Sequence, residues 1–165
     1  MARRAFYSFH YVPDAWRAST VRNIGAIEGN RPATDNDWES VKRGGDDAIK
    51  RWIADQMNGR SCTVVLVGTN TANRKWINYE IIRSWEEGMG VVGIRIHGLK
   101  NAAQETSAMG ENPFDYIGYG NTGKKLSSIV KCYNPGGATS QERYDWIKQH
   151  LANAVEEAVT IRKNN

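Results

Sequence analysis

The sequence predicts an α/β fold of three layers, with a central, mostly parallel sheet of four to five strands and helices on both faces. Three observations predict it. The run Ser61-Cys-Thr-Val-Val-Leu-Val67 is apolar and β-branched with little alternation, the pattern of a strand covered on both sides. Helical periodicity flanks it, with Ile49, Trp52, Ile53 and Met57 before it and Ile77, Ile81 and Trp85 after it. Strand-like and helix-like segments then alternate along the chain with mainly short connections, which points to parallel βαβ units.

Taken in order, Ala5 to Val12 is short, aromatic and strand-like. Pro13-Asp14 opens a helix, because proline suits the first helical position and Asp14 complements the helix dipole. Trp16, Val21 and Ile24 give that helix a partial apolar stripe. A weak second strand falls near Gly25-Ala-Ile-Glu28. From Gly29 to Gly45 the residues turn polar and glycine-rich around Trp38 and Val41, which reads as a long loop, a length often associated with function. Asp46 to Met57 is a helix with Gly59 beyond its end. After the strand at 61–67, Gly68-Thr-Asn-Thr71 is a break and Trp76 to Glu87 a helix, closed by Gly88-Met-Gly90. Val91 to Ile96 is a strand, Leu99 to Lys125 is irregular, and Leu126 to Tyr133 holds a last short strand. A long helix follows from about Thr139, with Tyr144, Ile147, Leu151, Val155 and Val159 at helical spacing.

A chain of 165 residues with 40% hydrophobic content fits one globular domain with a real core. Six tryptophans and seven tyrosines exclude a disordered composition. No apolar run is long enough to span a bilayer, and the N-terminus lacks the apolar block of a secretion signal. With only Cys62 and Cys132, a disulfide framework is not expected, and the chain reads as a soluble protein of a reducing cytoplasm. The net charge of +4 is scattered among acids rather than gathered in a stripe, so nucleic acid is not the expected partner. It suits a small anionic ligand instead.

Two apparent motifs dissolve on inspection. Gly118-Tyr-Gly-Asn-Thr-Gly123-Lys124-Lys125 has the spacing of a phosphate-binding P-loop, yet Lys125 stands where a magnesium-binding hydroxyl is required and no buried strand precedes it. His10, His97 and His150 show no metal-ligand spacing, so no metal site is expected. In the helix of residues 76–87, Ile77, Ile81 and Trp85 form the core stripe, and Glu80 lies on its flank between Trp76 and Ser84. Spacing leaves two readings open. Either Glu80 pairs with Arg83 at the surface, or the helix presents it to a cleft. In sheets of this kind ligands sit beyond the carboxyl ends of the strands, which selects Phe9-His10-Tyr11, the 29–45 loop, Gly68 to Thr71 and His97-Gly98.

The first strand Phe6-Tyr-Ser-Phe-His-Tyr11, the buried strand ending at Gly68 and the helix string Trp76-Ile-Asn-Tyr-Glu80-Ile together resemble a TIR domain, whose W-x-x-x-E helix carries an NAD-cleaving glutamate. Asp14-Ala-Trp-Arg-Ala-Ser, Val21-Arg-Asn, Asn36-Asp-Trp38 and Asn73-Arg-Lys-Trp-Ile-Asn-Tyr-Glu-Ile81 resemble, more narrowly, the TIR-like proteins of bacterial Thoeris anti-phage systems. The resemblance covers residues from about 5 to 97. It implies that residues 1–165 form a single TIR-like domain of the flavodoxin-like type. It also implies catalysis by Glu80 and substrate binding by Phe9, His10, Tyr11, Trp38 and Trp76. It further implies NAD as substrate with no cofactor, nicotinamide–ribose cleavage, and a cyclic ADP-ribose-type product that activates a separate effector. Self-association on activation and a phage-derived trigger complete the implied system. The alternative is a non-catalytic TIR-like module that only binds other proteins, and a more distant one is an N-glycosidic transferase acting on nucleosides.

Overall fold

The computed structural model describes residues 3–30, 40–121 and 123–165. Its centre is a four-stranded parallel sheet in the order β1 (Ala5–Phe9), β2 (Cys62–Val67), β3 (Gly90–Arg95), β6 (Cys132–Tyr133). The register sets Ala5 opposite Cys62, Cys62 opposite Gly90, and Gly93 opposite Cys132. Two further short strands, β4 (Gly118–Tyr119) and β5 (Lys124–Lys125), form a separate antiparallel hairpin. The P-loop imitation is therefore an exposed turn, and the lysines that mimic its signature pair with a strand rather than follow one.

Among the described residues the sheet is covered by α1 (Tyr11–Arg22), α2 (Gly45–Met57), α3 (Lys75–Glu86) and α4 (Ser140–Lys163). Strand alternation divides the core between the two faces. Ala5, Tyr7, Cys62, Val64, Leu66, Val92 and Ile94 pack under Ala18 and Val21 of α1 and Ile147, Leu151 and Val155 of α4. Val65, Val67 and Val91 point the other way, onto Ile77 and Ile81 of α3, while Phe6 meets Ile49, Ile53 and Met57 of α2. All six residues of β2 are buried, as its composition predicts. Helix α4 is started by Thr139, whose hydroxyl accepts from the Glu142 amide at 3.1 Å.

Several sequence expectations are corrected. The second strand is reduced to one parallel bridge between Arg4 and Glu28. Beyond that bridge the outer edge of β1 is satisfied by a side chain, since the Tyr7 amide donates to Asn30 Oδ1 at 2.8 Å. A side-chain amide has replaced the next ladder rung, which explains why residues 25–28 carry so faint a strand pattern. Helix α1 begins at Tyr11, two residues before Pro13, because the His10 carbonyl already accepts from the Asp14 amide. Trp16 is exposed rather than part of the apolar stripe, and Asp14 is buried beneath Arg17 rather than displayed at the helix start. The last short strand expected within residues 126–133 is present as β6, after a 3-10 turn at Leu126–Ser128.

The terminal helix crosses very close to the start of β3. A β-carbon on Gly90 would lie 2.7 Å from the Val159 amide nitrogen and 2.8 Å from the Ala158 carbonyl carbon. Backbone cannot yield as a flexible side chain does, so overpacking here is expected to cost about 1–3 kcal/mol. Gly90→Ala is expected to shift the midpoint of urea unfolding, followed by tryptophan fluorescence, downward by a matching amount. An unchanged midpoint refutes this helix–strand contact.

Candidate active site

Glu80 is reached through a column of polar groups on the inner flank of α3. The hydroxyls of Ser84 and Thr63 are 2.6 Å apart, and Ser84 Oγ also donates to the Glu80 carbonyl at 2.6 Å. One turn back along the helix, Ser8 Oγ donates to Glu80 Oε1 at 2.8 Å. Ser8 and Phe6 share a face of β1 by strand alternation, so β1 delivers one hydroxyl to the layer that also holds Thr63 and Ser84. Glu80 is only 8% exposed.

Arg83 does not hold Glu80 at the surface. Its guanidinium lies 3.6 Å from Glu87 Oε1 and donates to Tyr79 Oη at 3.3 Å. Among the described residues no cation forms an ion pair with Glu80. Burial without a compensating charge raises the Glu80 carboxyl to about 8, opposed only by the Ser8 hydrogen bond. A carboxyl in a cleft, with no salt bridge among the described residues and an ionisation raised towards neutrality, differs from a solvated surface charge, and such perturbed groups cluster at functional sites.

The cleft itself wraps the outer edge of β1. Glu80, Phe6 and Trp52 contribute from one face of the strand, and Tyr7, Phe9 and Arg22 from the other, with Tyr11 and Asn30 beside them. The structure thus brings Glu80, Phe9 and Tyr11 together, the two rings stacked with centroids 6.0 Å apart. It does not bring His10 or Trp76 to this wall. The His10 Nδ1 atom is buried without a hydrogen-bond partner, and burial, with Arg74 nearby, lowers the imidazole from its ordinary value. Trp76 packs edge-on against Tyr79 with Lys75 Nζ 4.9 Å from its ring centroid, in the apolar cluster around α2. Trp38 lies outside the described residues.

Sequence reasoning missed Ser8, Trp52, Asn30 and Arg22. Ser8 had a signal available, as a hydroxyl at an inward position of a buried strand. Trp52 reads as core because it sits on the apolar stripe of α2, and Arg22 as an ordinary basic residue at a helix end. A second, more polar groove lies at the start of α3, lined by Thr69, Asn70, Asn73, Arg74, Glu111 and Tyr116. Beside it, Gly68 leaves room for the buried Asp14 carboxylate, which a β-carbon at that position would overlap. Asp14 is held by Arg17, whose remaining nitrogens donate to the Leu99 and Glu105 carbonyls and to Ser107 Oγ. That network ties α1 to the loop after β3.

Comparison with known proteins decides the family. Residues 6–101 match the family model of the Thoeris protein ThsB, TIR-like domain. This chain belongs to that family. The matched stretch contains β1, β2, α3 and β3, the elements that frame Glu80. The chain is also 41% identical over 134 residues to a protein of Bacillus cereus (strain MSX-D12) named "Putative cyclic ADP-D-ribose synthase ThsB1", spanning 76% of this chain and 69% of the relative. Among the described residues of this ThsB family member, no helix is long and apolar enough to cross a membrane.

The buried state of Glu80 has a consequence for stability. Unfolded, its carboxyl ionises near the ordinary 4.5, and folded near 8. Between those values the folded chain retains a proton that the unfolded chain has released. The contribution is therefore complete below pH 4.5 and is lost as pH rises to about 8. Glu80→Gln has no proton to lose, so its stability advantage over the natural protein is expected to grow across that window, by on the order of a few kcal/mol. Urea unfolding at pH 5 and pH 8.5 measures it; a gap independent of pH contradicts the buried carboxyl.

Proposed function

We propose that this chain cleaves NAD at the nicotinamide–ribose bond and converts the remainder into a cyclic ADP-ribose-type signal. The observation that carries the reading is Glu80 itself. It is a buried carboxyl without a salt bridge among the described residues, held by Ser8 in an aromatic cleft, on the helix where the family resemblance places an NAD-cleaving glutamate. The relative named as a cyclic ADP-D-ribose synthase supports the product class.

The chemistry asks little of the protein. The bond between the ribose anomeric carbon and the nicotinamide ring nitrogen breaks, and its electron pair stays with nitrogen, neutralising the ring's positive charge. The leaving group needs no proton, so no general acid is required. The ribose carbon is left with oxocarbenium character, as in glycoside cleavage. Glu80 accepts hydrogen bonds from the ribose hydroxyls and stabilises that charge in a cleft largely screened from water. The cationic nicotinamide also favours the ionised carboxylate, so substrate entry and proton loss from Glu80 are coupled. Phe9, Tyr11 and Trp52 offer ring faces for the flat ends of the dinucleotide. The cleft encloses about 80 Å³, so NAD reaches in with one end and lies across the mouth with the rest.

Capture of the ribose carbon by an atom of the adenosine diphosphate portion closes a ring, whereas capture by water gives plain hydrolysis. In the wider reading the product diffuses to a separate effector, after a phage-derived trigger and self-association have switched the enzyme on. Glu80→Gln is expected to fold and to lose at least about 100-fold in nicotinamide release, because a group acting on the transition-state charge is removed. Phage protection in cells is expected to fall with it. Full protection by folded Glu80→Gln protein would return the chain to the class of binding modules.

A further inference from the structure

Arg22 closes α1 and lines the same cleft as Glu80. Its guanidinium carbon stands 5.5 Å from the Tyr7 ring centroid and 5.4 Å from that of Phe9. Its Nε is buried and has no hydrogen-bond partner among the described residues. Among the described residues no carboxylate pairs with it; the charged and titratable groups it feels are Tyr7, Tyr11 and Arg60. The contrast with Arg17 is instructive. That guanidinium, at 3% exposed, is saturated by Asp14, Ser107 and two backbone carbonyls. A buried N–H donor without an acceptor is costly unless one arrives. An arginine at a helix end is ordinarily satisfied by water, whereas here Tyr7 and Phe9 lie against the half-buried Arg22.

We propose that Arg22 is the phosphate anchor of the Glu80 cleft, receiving the diphosphate of a nucleotide whose ribose faces Glu80. The inference rests on the reading of Glu80 as the ribose-facing group and adds to it the residue that seats the anionic half of the substrate. A guanidinium presents a flat fork of donors that matches phosphate oxygens two at a time. Stacking on Tyr7 and Phe9 holds the plane in advance, so less freedom is lost on binding. The arrangement also separates the charges sensibly. Phosphates placed beside a carboxylate would be repelled, whereas a cation on another part of the wall draws the diphosphate away from Glu80 and leaves the sugar there.

Binding in the Glu80→Gln background tests this without turnover. Calorimetry would compare NAD, ADP and adenosine in proteins carrying Arg22, Arg22→Lys or Arg22→Gln, each checked for cooperative unfolding. Arg22→Gln is expected to weaken NAD and ADP by about ten- to a hundredfold, the usual worth of hydrogen bonds to a charged group. Arg22→Lys should restore part of that, and adenosine should bind the same in all three. An equal loss for adenosine marks Arg22 as packing alone and overturns the proposal. So do unchanged NAD and ADP affinities, or no binding of either by the Arg22 protein. If ADP binding depends on Arg22 while the natural protein fails to cleave NAD, the phosphate anchor stands and the catalytic reading falls.

Discussion

The arrangement depends on covering β2 from both sides. Cys62 to Val67 is buried at every position, so helices must pack above and below it. One face takes α1 and α4, the other α2 and α3. Once α3 lies on that second face, its inner flank meets the side chains that β1 and β2 project there. Thr63 and Ser8 are the two hydroxyls among them, and they meet Ser84 and Glu80 one helical turn apart. The same packing that buries valines therefore decides that a carboxyl is buried beside them.

A carboxyl in that position is costly to bury. Its partner is a neutral hydroxyl rather than a cation, so desolvation dominates and the group holds its proton up to about pH 8. Had Arg83 turned inward, an ion pair with Glu80 would have offset the cost of burial and held its carboxyl ionised. Instead Arg83 runs along the helix to Glu87 and Tyr79. The unfinished edge of β1 contributes as much. Where a full second strand would cover it, one bridge and the Asn30 amide suffice, and the aromatic residues of both strand faces open into one cleft.

Much of this was legible in the chain. Helices α2, α3 and α4 and strands β2 and β3 follow from apolar spacing, and each is observed within a residue or two of its expected bounds. The family was legible too, through the first strand and the tryptophan-to-glutamate helix, and the match over residues 6–101 bears it out. What failed was the second strand near residues 25–28, whose pattern is too brief for periodicity to act on and which is reduced to one bridge at Glu28. Asp14 does stand in the first turn of α1, but its burial was not legible. Nothing local reports that Gly68, fifty-four residues later, leaves room for its carboxylate beside Arg17.

The sequence by itself determined the layers, the order of helices and strands, and the position of Glu80 on the flank of its helix, because periodicity is local and burial of apolar residues is strong. It could not decide what that flank touches. Helical spacing offered Arg83 as readily as a cleft, since both lie within reach of one turn. Only the tertiary structure decided between them, by bringing Ser8 from seventy-two positions away and turning Arg83 towards Glu87 and Tyr79. The same holds for Arg22, unremarkable at a helix end until Tyr7 and Phe9 lie against it and its Nε is left, among the described residues, without an acceptor. Electrostatic identity belongs to neighbours, and neighbours are assigned by the fold.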